Sequence, residues 1–387
     1  MLPVERLRAA VAEIPAVDQH AHLLARDPGL RLAEVLTESR EQAQVEAGRE
    51  HPAYLRAWPE LAGVLGTDVS EESLAAARAD DLAGHTARLL GACRLEAMFI
   101  DDGFRPPGAV ALDEHAGLAG CPVRRIVRIE SEVEAATVGA GWPPLVECRD
   151  RLGRAVSGAV GAGAVGLKTI AAYRCGLGLP SPSVEAASRA YDAWRKSGSP
   201  RLQDAALIAL FLADAVEAAG GDVPLQVHTG LGDADQALVG ADPALLQPQI
   251  DHGFLTGVPV VLLHCYPYVR QAGYLAGIYA NVHLDLSLAI TLVPHRGPEL
   301  IDEALELAPI GKLLFATDAN RLPEVFLLAT RWWREALARV LGRLVEDGFL
   351  AEGRAVAWAE QVLAGNARRL YPLAQASSSP TSSDSSR

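Results

Sequence analysis

The stretch Val17-Asp18-Gln19-His20-Ala21-His22 begins as a buried-type strand and ends in two histidines. Side chains alternate between the two faces of a strand, so His20 and His22 should lie on the same face. Their Cα atoms would then be roughly 6–7 Å apart, which is close enough for both imidazoles to bind one metal ion. Asp18 could accept a hydrogen bond from a ring N–H and so fix its tautomer. The alternative is that two polar residues simply mark the point where a strand meets a loop.

Seven further short apolar segments follow, and nearly all of them end in a polar side chain. They are residues 95–100 before Asp101, 123–129 before Glu130, 164–167 before Lys168, 224–227 before His228, 258–263 before His264, 281–286 before Ser287, and 312–317 before Asp318. Alanine-rich segments with helical spacing separate most of them, at 185–196, 203–219, 324–346 and 353–364. Eight strands that alternate with helices predict an α/β fold of the (β/α)8 TIM-barrel type. A doubly wound open sheet is the competing fold, but no glycine-rich phosphate fingerprint follows an early strand.

The segments outside the barrel rhythm define the domain organisation. Residues 23–92 are rich in Ala, Leu, Arg and Glu at helical spacing, which predicts a helical insertion after the first strand that acts as a lid or side wall. We assign residues 1–374 to one domain. Residues 375–387 form a Ser-rich tail that is too polar to build a core, and we expect it to be disordered.

Composition narrows the possible partners and compartment. The chain has 387 residues, 50% of them hydrophobic, and a net charge of −13, with no Lys/Arg run, so a nucleic-acid partner is not expected. No run of 18 apolar residues and no apolar leader occurs, so we expect neither a membrane partner nor secretion. Five cysteines without CxxC spacing suggest reduced thiols and a cytoplasmic protein.

The polar residues at the strand ends form one candidate site, because barrel active sites lie at the carboxyl ends of the strands. The set is His20, His22, Lys168, His228, His264 and Asp318. Imidazoles with a carboxylate suit zinc, manganese or iron better than magnesium or calcium. Asp318 is the candidate general base for a metal-activated water. Taken one at a time, three of these residues have a plainer explanation. His228 could be a turn residue, His264 a hydrogen-bonded core histidine, and Asp318 a cap for the helix near Pro323.

On these residues the chain resembles the amidohydrolase superfamily over the whole barrel. It is similar, more narrowly, to the amidohydrolase-2 branch found fused to glutamine synthetase in FluG- and nodulin-like proteins, and we expect a stand-alone form of that branch. The segments that carry the narrower resemblance are 166–174, 226–233, 262–264 and 365–371.

The resemblance implies a divalent metal centre but leaves open whether it holds one ion or two. In a binuclear site Lys168 would be carbamylated and would bridge two ions, with His228 and His264 on the second. In a mononuclear site His20, His22, His228 and Asp318 would hold the ion, and His264 would polarise the substrate or orient the water.

The same resemblance implies hydrolysis of a C–N (amide-type) bond in a small molecule, with His264 and Asp318 as catalytic residues. A decarboxylase, another lyase or an isomerase on the same site is the first alternative, and a non-catalytic partner of a glutamine synthetase is the second. Tyr173, Arg174 and Arg321 are candidates for binding a substrate carboxylate, and Glu130 is a candidate for binding an amine. A homo-oligomer is plausible.

Overall fold

The computed structural model describes residues 3–66 and 69–372, so the Ser-rich segment 375–387 lies outside the described residues. Eight parallel strands form one sheet in sequence order, each paired with the next. Their bounds are β1 Ala16–His22, β2 Leu95–Asp101, β3 Val123–Arg128, β4 Gly166–Thr169, β5 Leu225–His228, β6 Val260–Leu263, β7 Val282–Asp285 and β8 Leu313–Leu314. The predicted (β/α)8 fold is confirmed.

Helices alternate with the strands and cover the outside of the sheet. Those before β4 are α1 Pro3–Glu13, α2 Gln42–Ala47, α3 Pro52–Leu65, α4 Glu71–Gly91, α5 Leu112–Ala119, α6 Ile129–Thr137 and α7 Leu145–Gly161. The rest are α8 Val184–Ser197, α9 Ala205–Ala218, α10 Gln247–His252, α11 Val269–Ile278, α12 Ala289–Leu292, α13 Gly297–Leu305, α14 Pro323–Glu346, α15 Glu352–Glu360 and α16 Asn366–Leu370. In the part of the chain described, no helix is both long and apolar enough to cross a bilayer.

Local sequence explains where several helices begin and end. The Asp204 carboxylate accepts hydrogen bonds from the backbone N–H groups of Ala206 and Leu207, which fixes the start of α9. Ser183 caps α8 in the same way, and Gly198 ends it in the left-handed conformation that glycine adopts without steric cost. The insertion after β1 contains α2, α3 and α4, as its helical spacing predicts.

The barrel interior is separate from the layer between strands and helices. Side chains that point inward, such as Val17, Ile126 and Leu263, pack in a small apolar cluster closed from below by Tyr371. Their neighbours on the same strands, such as Val127 and Leu262, point outward into the large core under the helices. Period-two alternation therefore places every second strand residue inside the barrel.

The last strand differs from its prediction. Regular pairing covers Leu313–Leu314 rather than 312–317, because the chain beyond it bonds to β1. The Gln19 N–H donates to Phe315 O at 3.3 Å, and the Asp318 N–H donates to His20 O at 2.9 Å, which closes the barrel. β3 also ends one residue early, so Glu130 lies in the first turn of α6.

Candidate metal centre

A cavity of about 600 Å³ opens at the carboxyl ends of the strands. Its floor is formed by residues at the ends of β1, β3, β4, β5, β6 and the segment after β8, and the first part of the insertion forms a wall. The lining includes His22, Lys168, His228, His264 and Asp318 from the predicted metal set, and Tyr173, Arg174 and Arg321 from the predicted substrate set.

His20, His22 and Asp318 form the tightest cluster, with potential ligand atoms all within 4.8 Å of one another. Asp318 Oδ1 lies 3.1 Å from His20 Nε2 and 3.3 Å from His22 Nε2. Yet this buried oxygen has no partner with the geometry of a hydrogen bond. Buried carboxylate oxygens are normally satisfied, so an unsatisfied one that faces two imidazole nitrogens is what a metal-binding set requires. These residues fit a divalent metal.

The hydrogen bonds of the two histidines direct their lone pairs at the same point. His20 Nδ1 lies 2.8 Å from Gln226 Oε1, and the amide nitrogen of Gln226 is already donating to the Gln19 carbonyl, so Nδ1 carries the proton. His22 Nδ1 lies 3.1 Å from the carbonyl oxygen of Asp101, which can only accept. Both Nε2 atoms are therefore unprotonated and available to a metal.

Asp18 does not have the predicted role. Its carboxylate accepts hydrogen bonds from the backbone N–H of Thr317 at 2.9 Å and from the Thr317 hydroxyl at 2.5 Å. It thus ties β1 to the segment after β8, and Gln226 orients the His20 ring instead. Burial raises the pKa of the Asp18 carboxyl to about 7.

The other predicted ligands surround this cluster. Lys168 Nζ lies 3.2 Å from His20 Nε2, and burial lowers its pKa to about 8, so most of it stays charged at neutral pH. The rings of His228 and His264 are 4.6 Å apart, and His264 lies 5.8 Å from the His20 ring. His228 Nε2 donates to Leu231 O at 3.1 Å, which leaves Nδ1 as its free nitrogen.

A serine and an aspartate hold His264. Its Nδ1 lies 2.7 Å from Ser287 Oγ, whose hydroxyl donates to Asp285 Oδ1, and its backbone N–H also donates to Asp285. The proton is therefore on Nδ1 and the lone pair is on Nε2.

Burial and neighbouring charges keep His20 and His228 neutral and Asp318 ionised. Burial, then the Lys168 charge, lowers the pKa of His20 to about 4 and that of His228 well below its usual range. Burial alone would raise the pKa of the Asp318 carboxyl, but the polar groups around it hold that pKa well below its usual range. Neutral imidazoles and an ionised carboxylate are the protonation states that ligate metals.

Backbone strain is concentrated at this end of the barrel. Seven non-glycine residues in the described ranges have a positive φ, and five follow β6, β7 or β8 directly or within a few residues: His264, Cys265, Leu288, Asp318 and Arg321. Such conformations persist where the surrounding structure enforces them, which is common at functional sites.

The four predicted substrate-binding residues have different surroundings. Tyr173 packs against the His228 ring at 4.5 Å, and Arg321 lines the cavity. Arg174 lines it too, but its Nη1 pairs with Glu134 at 2.9 Å. Glu130 is not part of the lining; its Oε1 accepts hydrogen bonds from Thr169 Oγ1 and Ile170 N, which ties α6 to β4.

Several residues at the site went unrecognised in the sequence. Gln226 lies two positions before His228 on β5. Because side chains alternate along a strand, Gln226 and His228 lie on the same face, as His20 and His22 are predicted to do on β1. Arg128 ends β3 and lines the cavity, whereas the sequence pattern points to Glu130 as the functional residue at the end of this strand. Glu38 and Arg40 reach the cavity from the insertion, where no strand pattern could identify them.

Comparisons with known proteins agree with this geometry. A sequence model described as amidohydrolase matches residues 197–373. Protein fluG of Emericella nidulans is 32% identical over 411 residues, covering 96% of this chain and 47% of fluG. The chain thus spans about half the length of this curated relative.

Solved structures give matches over nearly the full chain. A protein from Lactobacillus casei, provisionally described as a metal-dependent hydrolase, superposes with a TM-score of 0.86 at 32% identity, covering 94% of this chain and 96% of that one. A uronate isomerase from Thermotoga maritima has a TM-score of 0.68 at 15% identity, covering 95% and 97%. The second likeness shows the fold alone.

Proposed function

The chain belongs to the amidohydrolase superfamily, and we propose that it hydrolyses a C–N bond of amide type in a small, carboxylate-bearing molecule. The observation that carries this proposal is the unsatisfied Asp318 Oδ1, which faces two imidazole lone pairs on the floor of a substrate-sized cavity. His20, His22 and Asp318 would hold the metal, and His228, whose Nδ1 is free, is the candidate fourth ligand. When bound, a divalent ion lowers the pKa of a water and polarises a carbonyl.

The residues around the metal position have distinct chemical capacities. Asp318 is ionised at neutral pH, so its carboxylate can accept a proton from the attacking water and later deliver it to the leaving nitrogen. His264 is neutral and its free Nε2 is an acceptor, which suits it to orient that water. Lys168 carries three N–H donors beside the metal position and is suited to bind an anionic group of the substrate.

Zinc is the metal we favour, with manganese or iron as alternatives, because the donors are imidazoles and a carboxylate. We further propose that the protein is cytoplasmic, that its substrates are small molecules, and that it forms homo-oligomers.

Metal content per chain tests the centre, on protein purified with bicarbonate and without chelator. About two ions, falling when Lys168→Ala is introduced, would support a carbamate-bridged pair. About one ion, unaffected by Lys168→Ala, would support the mononuclear set. No bound metal under either condition would refute the proposal.

Product analysis tests the reaction. We would incubate the protein with γ-glutamyl amides and N-acyl amino acids and measure released amine or ammonia. Asp318→Asn should retain part of the metal and lose at least about a hundredfold in turnover, because general acid–base catalysis contributes that much. Turnover near the wild-type rate would remove Asp318 from this role.

One observation favours the alternative of a decarboxylase or isomerase acting on an acid: two cations, Arg128 and Lys168, stand side by side at the cavity floor. Carbon dioxide or an isomeric acid as the product, without amine release, would establish it. Co-purification with a glutamine synthetase that persists in a His20→Ala/His22→Ala variant would instead support a non-catalytic partner.

A further inference from the structure

Arg128 lines the cavity, and two of its three guanidinium nitrogens already have a hydrogen-bond partner. Its Nε and Nη2 bind the fully buried Asp101 carboxylate, with Nη2 at 2.7 Å from Oδ2. Its Nη1 has no hydrogen-bond partner among the described residues. The Arg128 side chain is 12% exposed and lines the cavity, so Nη1 is the part of the fork available to a ligand.

Arg128 is held in place before any ligand arrives. Besides the two-point contact with Asp101, its stem packs on the backbone at Gly103. A Cβ at that position would lie 2.5 Å from Arg128 Cβ and 2.7 Å from Cδ, so only glycine leaves room for this packing. A preorganised side chain loses little conformational entropy on binding, which favours affinity.

Lys168 supplies a second cation beside it. Arg128 and Lys168 are register partners on β3 and β4, so their Cα atoms are neighbours across the sheet. The carboxylates of Asp101 and Asp318 balance these two charges only while no metal is bound. A divalent ion therefore leaves the cavity floor positive and suited to an anion.

The other arginines of the cavity have partners of their own, and none is a register partner of Lys168. Arg40 pairs with Asp233. Arg174 pairs with Glu134, and Arg321 uses Nε on Asn320 and Nη2 on the carbonyl of Glu34. Arg201 uses Nη1 on Asp235 and Nη2 on the carbonyl of Tyr173.

We propose that Arg128, with Lys168 beside it, binds a carboxylate of the substrate and selects small organic acids. This inference rests on the proposed function and replaces Arg174 with Arg128 as the carboxylate anchor. The bound acid would lie between the metal position and β3, with its carboxylate on Arg128 Nη1 and Lys168 Nζ.

Binding of succinate to the metal-loaded protein, measured by calorimetry, tests the inference. The single variant Arg128→Gln would leave the buried Asp101 carboxylate without its counter-charge. We would therefore compare this variant with the double variant Asp101→Asn/Arg128→Gln, which removes one charge of each sign and leaves the net charge unchanged. We expect about 10- to 100-fold weaker succinate binding by the double variant, because a charge-assisted hydrogen bond is lost. Arg125→Gln is the matched control: Arg125 lies on the same strand but pairs with Asp102 and Glu132, outside the cavity.

The outcomes separate this inference from the proposed function. Wild-type affinity in the double variant, an equal loss in Arg125→Gln, or no succinate binding by the wild-type protein would overturn the role of Arg128 while leaving the metal centre intact. Succinate binding that depends on Arg128 in a chain that holds no metal would support the anion site and refute the hydrolase.

Discussion

Replacing Gln226 with leucine should weaken metal binding, because this amide fixes the protonation of His20. Gln226 Oε1 accepts the Nδ1–H of His20 at 2.8 Å and keeps the Nε2 lone pair directed at the metal position. Leucine has a similar volume and cannot accept. The neutral ring could then carry its proton on Nε2, the atom that lies 3.1 Å from Asp318 Oδ1. A metal would have to displace that proton before it could bind.

The expected loss follows from this competition. Removing a group that orients a metal-binding histidine typically costs about 10- to 100-fold in metal affinity, which is about 1.4–2.7 kcal/mol. We expect the upper half of that range here, because the negative charge of Asp318 beside Nε2 favours a proton on that atom. The variant also leaves the buried acceptor oxygens of Gln19 and Tyr371 with fewer partners, so its free energy of unfolding should fall by about 1–3 kcal/mol.

The assay is competition between the apo protein and a chromophoric chelator for zinc and manganese, with urea unfolding of the same samples. Tyr371→Phe is the control. It removes a hydroxyl that donates to Gln19 Oε1 and accepts from the Gln226 amide, but leaves the contact between Gln226 and His20. It should cost about 0.5–1.5 kcal/mol of stability and change metal affinity by less than about twofold. A folded Gln226→Leu protein with wild-type metal affinity, or an equal loss in Tyr371→Phe, would refute the reasoning.

Two predictions concern stability away from the site. Burial lowers the pKa of His115 to about 4, so the unfolded chain takes up the extra proton between pH 6.5 and pH 4 and stability falls as the pH drops through that window. Urea unfolding should show the wild-type protein losing up to about 3 kcal/mol more than His115→Asn between pH 7 and pH 4; parallel curves would contradict this. Buried Glu324 Oε1 binds Arg78 Nη1 at 2.6 Å and His85 Nε2 at 2.9 Å. Glu324→Gln should cost about 3–5 kcal/mol by leaving the arginine unpaired, and adding Arg78→Met should recover part of that loss; additive losses would argue against coupling.

The sequence was sufficient for the barrel because each strand is short, apolar and separated from the next by a helix. It also located the ends of the strands well enough to group His20, His22 and Asp318, since residues at parallel strand ends must meet at one face. The predicted extent of β8 was wrong, because the residues after Leu314 hydrogen-bond to β1. The pattern of apolar residues along the chain does not show where a sheet closes into a barrel.

The supporting residues were harder to find for a physical reason. Asp18 precedes the histidine pair and is therefore predicted to orient one of the rings. Closure of the barrel instead places Thr317 beside the Asp18 carboxylate, which accepts hydrogen bonds from the Thr317 backbone N–H and hydroxyl. Arg128 lies inside the predicted strand 123–129, where the sequence alone gives it no functional signal. Only the pairing of β2 with β3 shows that Asp101 holds it.

The interior of the barrel is divided by polarity, and this division explains how the site is held. Below, inward side chains such as Phe99 and Leu263 pack tightly. Above them, Gln19, Gln226, Asp285 and Ser287 form a buried hydrogen-bonded network; buried polar groups are costly unless paired, so a paired network permits few arrangements. One end of it fixes His20 and the other fixes His264. Asp318 Oδ1 lies 3.1 Å from His20 Nε2 without a hydrogen bond, and Asp318 Oδ2 lies 4.0 Å from His264 Nδ1. The network therefore holds both imidazoles around a carboxylate that a metal would satisfy.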